Sequence, residues 1–260
     1  MARPAKPVVL LPGWSMDSGV WTEVRAALAA TLGETHPVLT PALPGHDDNA
    51  PPAPTLADWA DAVAAGLPDG VVLAGWSLGA MLAMEIAHRH AGKVAALVLI
   101  GANARFVADE HWPHGLAREA VDAFVDGFAR DPQATLKRFA ALQVMGEASG
   151  RDIARRLAQH SALPPKADPS VKAARLASLA AGLEILRSAD LRATVSSLSV
   201  PCTIIHGEAD ALMPASAAHW LAAQLPHARL QLLPGAGHAL PLSASAECAR
   251  LIARCASADD

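Results

Sequence analysis

Six short apolar runs punctuate the chain: residues 7–11 (PVVLL), 37–41, 70–76 (GVVLAGW), 94–100 (VAALVLI), 201–206 (PCTIIH) and 228–233. Most are bounded by glycine or proline, and they are continuous rather than alternating. That is the pattern of parallel strands covered on both faces. Between them, apolar positions recur at helical spacing over 20–32, 55–66, 78–90, 214–225 and 243–255. Thr55 is placed to cap the second of these, with Asp58 at the third helical position. The βαβα alternation with short connections predicts an α/β fold, a doubly wound and mainly parallel sheet of about six strands.

One stretch breaks the alternation. Residues 104–195 contain no convincing strand and read as several helices separated by Pro132, Gly146, Pro164-Pro165 and Gly182. Inserted between two strands, such a stretch is expected to cap the carboxyl edge of the sheet, where open α/β sheets bind ligands. The expected division is therefore a core of residues 1–103 and 196–260 with an all-helical cap of residues 104–195. Two independent domains fit less well, because the last strands must return to the first sheet. There is no internal repeat and no low-complexity linker.

Composition narrows the function classes. Of 260 residues, 52% are hydrophobic and 18% charged, enough apolar surface for a large core. The net charge of −4 gives no globally basic surface for nucleic acid. The three cysteines have neither metal-ligand nor disulfide-framework spacing, and Cys202 lies inside an apolar run where an inert buried thiol is expected. The apolar segment 8–11 is too short for a signal-peptide core or a membrane span, so the expected location is the cytoplasm with no membrane association. No dinucleotide loop, P-loop or metal cluster is present, so no cofactor and no metal are expected. The pairs His88/His90 and His111/His114 lack a completing carboxylate.

The strongest chemical signal is Gly75-Trp76-Ser77-Leu78-Gly79, a G-x-S-x-G at the junction of a predicted strand and a predicted helix. A serine nucleophile needs that junction, because a tight, strained turn projects its hydroxyl clear of the sheet. Ser77 also needs a base, and His238 in the small-residue loop PGAGHA after the last strand is the best placed of eleven histidines. His206 ends an apolar run and is read as structural. Asp210, on the loop after the fifth strand, is the expected orienting carboxylate, with Glu208 as the local alternative. The order Ser77, Asp210, His238 is that of the α/β-hydrolase fold. Two backbone N–H groups should hold the oxyanion: Leu78, just after the nucleophile, and Trp14, in the loop after the first strand. The Trp14 ring is then expected to wall the acyl pocket.

Beyond these common features, LLPGWSMDSGVW (10–21), AGWSLGAMLA (74–83), RFAALQVMG (138–146), GLEILRSADLR (182–192) and HGEADALMP (206–214) resemble the pimeloyl-acyl-carrier-protein methyl ester esterases, the BioH family, over nearly the whole chain. The cap segments carry most of the specificity. The resemblance implies hydrolysis of a methyl ester on a pimeloyl chain borne by acyl carrier protein. It implies the triad Ser77, Asp210 and His238, and substrate contacts at Trp14, Ser77, Leu78, His238 and the segment Phe139, Ala140, Ala141, Leu142 and Gln143. Two departures stand out: Pro12-Gly13 replaces the His-Gly of many α/β-hydrolases, and the early antiparallel strands of the larger fold are expected to be missing.

Charge in the cap bears on the partner. Residues 118–187 hold eleven Lys/Arg against eight Asp/Glu in a net acidic chain. Arg151 and Arg155 are four apart and so share a helix face, with Lys137 and Arg138 upstream. By itself this is an ordinary solvated face. With the resemblance, it becomes a candidate docking surface for an acidic carrier protein. A generic carboxylesterase on short-chain esters, or a catalytically silent binding protein of the same fold, are the alternatives. The complete Ser/Asp/His set disfavours silence, and a monomer is expected.

Overall fold

A computed structural model of the chain describes residues 5–46, 55–163 and 168–257. The chain runs β1 (Val8–Leu11), α1 (Thr22–Leu32), β2 (Val38–Leu39), α2 (Leu56–Ala65), β3 (Val71–Trp76), α3 (Leu78–Arg89) and β4 (Val94–Ile100). Five helices follow among the described residues: α4 (Arg118–Arg130), α5 (Pro132–Gln143), α6 (Gly150–Gln159), α7 (Pro169–Ser188) and α8 (Arg192–Ser197). The chain then returns as β5 (Cys202–Gly207), α9 (Ala215–Gln224), β6 (Arg229–Leu233), α10 (Leu240–Ser243) and α11 (Ser245–Ser257).

The six strands form one sheet in the order β2-β1-β3-β4-β5-β6, with every described pairing parallel. Alternate residues of each strand serve opposite faces. Val9, Leu11, Leu73 and Leu99 join the core under α2 and α3, while Val8, Leu10, Val72 and Val98 join the one under α1 and α11. That double coverage is why the runs read as continuously apolar. From β1 the chain steps outward to β2, then back across β1 to β3. The reversal opens a crevice at the carboxyl ends of β1 and β3, the place where such sheets bind ligands.

Several boundaries differ from the sequence reading. β2 keeps only two residues of the expected 37–41, and Leu39 is exposed. Pro37 and Pro41 flank an edge strand and donate no ladder hydrogen bonds. Thr55 caps α2 as expected, accepting from Asp58 N–H at 3.1 Å. Pro132 opens α5 at its first position, with the Asp131 side chain accepting from Ala134 N–H. Gly146 lies in the turn between α5 and α6 at φ 85°. Gly182 does not separate helices: α7 runs through it without a break. A Cβ there would sit 2.8 Å from Trp14 Cδ1, so the glycine serves close packing rather than helix termination. Pro164-Pro165 lies outside the described residues. The expected helix 243–255 is α11, which begins two residues later, and a short buried helix the sequence reading did not include, α10, precedes it.

The three cysteines are free thiols. Burial pushes the Cys202 thiol up strongly and that of Cys248 up to about 12, so neither is poised to react. No described helix is long and apolar enough to cross a membrane. Among the described residues, no group of three or more His, Cys, Asp or Glu side chains converges as a metal site would require.

Candidate active site

Ser77 sits between β3 and α3 at φ 58°, ψ −120°, a region L side chains rarely occupy. The two glycines of the motif make the turn possible. A Cβ at Gly75 would lie 2.2 Å from Gly79 O, and one at Gly79 would lie 2.5 Å from both Leu11 O and Pro12 O. Those neighbours are backbone and cannot yield. Leu78 is the first residue of α3, so its N–H has no intrahelical acceptor and lies at the positive end of the helix. The loop after β1 closes on the same spot: a Cβ on Gly13 would meet Ser77 Cβ at 3.3 Å. The loop after β1 and the start of α3 therefore meet at the serine.

His238 and Asp210 come from the loops after β6 and β5. His238 Nδ1 donates to Asp210 Oδ2 at 2.7 Å, with both side chains buried. The other carboxylate oxygen, Oδ1, accepts from the N–H groups of Leu212 and Met213 at 2.9 and 2.8 Å. Burial works to raise the Asp210 pKa, but the adjacent His238 and the hydrogen bonds outweigh it and hold the carboxyl below its ordinary range. Glu208, the local alternative, makes no hydrogen bond or ion pair with His238 among the described residues. The imidazole stands over Gly101, where a Cβ would come within 3.2 Å of the ring, and beside Trp76 at a ring separation of 5.7 Å. Among the described residues no hydrogen bond yet joins Ser77 Oγ to His238. Such bonds often tighten only with substrate bound.

His206 is structural, as expected. It is fully buried, and its Nε2 donates to Met213 O at 2.7 Å, closing the turn that presents the two N–H groups to Asp210. Desolvation lowers its pKa and keeps it neutral.

The helices between β4 and β5 lean on the loop after β1. Trp14 Nε1 donates to Leu179 O of α7 at 2.8 Å, and the indole meets Phe124, Phe128 and Phe139 edge-on at 5.0–5.8 Å. A cavity of about 280 Å³ lies beyond, lined by Phe106, Phe124, Phe139, Leu142 and Leu186, with Leu212 near Asp210 and Arg138 as its one charged residue. Trp14 does not itself line this cavity; it backs the Phe124 and Phe139 rings that do.

A run of five consecutive residues on a helix cannot face one cavity, and the segment 139–143 divides accordingly. Phe139 and Leu142 turn into the cavity, whereas Ala140 and Ala141 line a groove between α5 and α6. Gln143 is buried, and its backbone carbonyl accepts from His238 N–H at 2.9 Å. The four basic residues divide too. Lys137 and Arg155 line the α5–α6 groove, Arg138 lines the apolar cavity, and Arg151 sits nearer Glu147. Arg155 is also paired with Asp152 at 2.6 Å. One contact had no sequence signal: Glu147 Oε1 accepts from Gly237 N–H at 2.8 Å.

Comparison with known proteins agrees with this fold. The model of the alpha/beta hydrolase family matches residues 8–251. Among solved structures, a bromoperoxidase from Bacillus anthracis superposes with a TM-score of 0.80 at 20% identity, covering 96% of this chain and 92% of that one. An esterase from Thermogutta terrifontis gives 0.75 at 22% identity, with 96% and 89% covered. At those identities the likeness concerns the fold alone. In sequence, the chain is 45% identical over 97% of its length to a pimeloyl-acyl-carrier protein methyl ester esterase of Aromatoleum aromaticum, covering 98% of that protein. It is 38% identical over 91% of its length to the protein of the same name from Nitrosomonas europaea, covering 90%. By fold, elbow and kinship across nearly its full length, the chain belongs to the alpha/beta hydrolases and, within them, to the pimeloyl-acyl-carrier protein methyl ester esterase (BioH) family.

Proposed function

We propose that this chain is a serine esterase that hydrolyses the methyl ester of a pimeloyl chain carried by acyl carrier protein, releasing methanol and the free carboxylate in biotin biosynthesis. The observation that carries the reaction is the buried Asp210–His238 hydrogen bond beside a serine held at positive φ. The near full-length kinship with relatives bearing that name carries the substrate.

In this reading Asp210 fixes the imidazole with its proton on Nδ1, leaving Nε2 to take the Ser77 proton. Ser77 Oγ attacks the ester carbonyl. The charge that develops on the carbonyl oxygen is met by the Leu78 and Trp14 N–H groups. The His238 imidazolium returns the proton to the departing methoxide as methanol leaves. Water, deprotonated by the same histidine, then releases the acyl group from Ser77.

Residues 104–195 act as the cap. The Trp14–Leu179 bond and the aromatic packing of α4 and α5 on Trp14 support that role. The apolar cavity takes the acyl chain; at about 280 Å³ it lies near the lower end of ligand pockets, which run to about 1,000 Å³, and suits a short chain over a long one. The basic residues at the cap surface, Lys137, Arg138, Arg151 and Arg155, receive the acidic carrier. No cofactor, metal or nucleic acid takes part, and the enzyme works as a cytoplasmic monomer.

Complementation of a biotin auxotroph lacking this step tests the reading. Growth is expected with the wild-type chain and not with Ser77→Ala. Failure of the wild type to complement, alongside good turnover of small esters, would favour a generic carboxylesterase.

A further inference from the structure

The loop that carries His238 has almost no side chains with which to hold itself. It runs Gly235, Ala236, Gly237, with Gly235 at φ 69°. Its position is set by hydrogen bonds to its backbone. From the core side, Ala209 N–H donates to Ala236 O at 2.9 Å, and Trp76 Nε1 donates to His238 O at 2.9 Å. From the opposite side comes the corner between α5 and α6. There, Gln143 O accepts from His238 N–H at 2.9 Å, and Glu147 Oε1 accepts from Gly237 N–H at 2.8 Å. Two consecutive N–H groups, one belonging to the histidine itself, are thus satisfied by a single corner of the helical insertion.

The fit is close. A Cβ on Gly237 would lie 2.8 Å from Glu147 Oε1 and 3.0 Å from Gln143 O, so the corner packs directly against the loop backbone. The corner is internally braced: Glu147 N–H donates to Val144 O and Gly150 N–H donates to Glu147 O, each at 3.1 Å. Half-burial of the Glu147 side chain raises its pKa, and the like charge of Asp210 adds to the effect. A carboxylate is kept there despite that cost, and it makes a charge-assisted bond to the loop.

We propose that Glu147 is a positioning residue for His238: with the Gln143 carbonyl it fixes the 237–238 backbone, so the seating of the α5–α6 corner sets how well the histidine serves Ser77. The inference rests on the reading of His238 as the general base. It goes beyond that reading by making the insertion part of the acid–base machinery as well as a lid over the acyl chain. Glu147 bonds the Gly237 backbone and lies beside the Ser243 side chain, and it makes no hydrogen bond to the side chains of Ser77, Asp210 or His238. Its loss should lower kcat and leave KM alone, because a misplacement of about 1 Å at a catalytic group costs on the order of 100-fold and a loosened loop a fraction of that.

The test uses the full chain with p-nitrophenyl acetate, which needs no carrier protein. Glu147→Ala is expected to lower kcat about 10-fold with KM within about twofold. Glu147→Gln, which keeps an acceptor oxygen at the same reach, is expected to stay within about twofold of wild type in both. Should the alanine variant not fold, Glu147→Asp, too short to reach Gly237, must show the same kcat loss. The inference is overturned if the variant lacking reach keeps wild-type kcat, if glutamine is as damaging as alanine, or if KM moves instead. Turnover that persists in Ser77→Ala would overturn the underlying reading, and the inference with it. Loss in Ser77→Ala with normal turnover in Glu147→Ala would overturn the inference alone.

Discussion

At the scale of single residues, the site turns on one buried carboxylate. Asp210 is sealed from water, yet its two oxygens take three hydrogen bonds, two from backbone N–H groups and one from His238. In Asp210→Asn the backbone N–H groups can still be satisfied, but an amide then faces His238 Nδ1 and the imidazole loses the partner that sets its tautomer. Activity is expected to fall about 10³–10⁴-fold, the scale known for this substitution in a serine protease triad, while circular dichroism stays native. A loss under about tenfold would remove Asp210 from the mechanism. The acid side has a definite sign. The native pKa of Asp210 lies below the unfolded value of about 3.9, so its stabilising contribution is complete above that value and is lost as pH falls through the lower native one. The Ser77 turn and the pairing of Asp210 with His238 were legible because chemistry restricts residue type and the fold restricts their order. Glu147 and the Gln143 carbonyl were not. A backbone acceptor has no residue signature, and Glu147 lies 90 positions from Gly237 in the chain.

At the scale of elements, α7 shows where propensity misleads. Gly182 costs its helix about 1 kcal/mol relative to alanine, and from sequence alone that reads as a break. In space the missing Cβ admits the Trp14 ring. That ring is pinned by its bond to Leu179 and by three phenylalanines, so it cannot step aside. Overpacking costs about 1–3 kcal/mol, so it outweighs the propensity gained. Gly182→Ala is therefore expected to lower the urea midpoint with an unchanged m-value. A rise in the midpoint would show that α7 is not seated on Trp14. The central strands were legible because sheet and helices cover both of their faces. The length of β2 was not, because an edge strand between two prolines is trimmed by hydrogen bonding, which hydropathy does not record. The short α10 was missed because four residues opening on Leu240-Pro241 are too few to show a helical period, and Ser243 and Ser245 mark only the start of α11.

At the scale of the whole molecule, the strand order decides which loops meet. Parallel strands could be inferred from the alternation of elements, but the reversal between β1 and β3 depends on side-by-side pairing that no local pattern encodes. That reversal brings the Pro12–Trp14 loop against Ser77. The basic residues of the insertion were legible as a surplus of charge, whereas their distribution over a groove, a cavity wall and the exposed start of α6 was not. Charge steering acts on encounter and is screened by salt over about 10 Å at 0.1 M. Replacing Arg151 and Arg155 by glutamate should lower kcat/KM for the carrier-bound ester about tenfold at low ionic strength, with the gap closing as salt is added. Hydrolysis of p-nitrophenyl acetate should not change. Equal loss on both substrates would show that these arginines support the fold and not the docking.

The same topology has a consequence for how the chain comes to be folded. β4 pairs with β5 through Leu97↔Cys202 and its neighbours, across the whole helical insertion. Until those late residues emerge during synthesis, β4 is the bare edge of an apolar four-stranded sheet. At translation speeds of about 5–20 residues per second, an insertion of about a hundred residues leaves that edge open for about 5–20 s. Closing so long a loop is also slow in refolding, since distant pairings must bear their entropy before they contribute contacts. Nascent chains arrested just before β5 should therefore aggregate or recruit a holding chaperone more than chains arrested after β6, and sedimentation of the two released chains would tell them apart. The insertion that packs on Trp14 in the finished protein is, during its making, the interval over which the sheet stands unguarded.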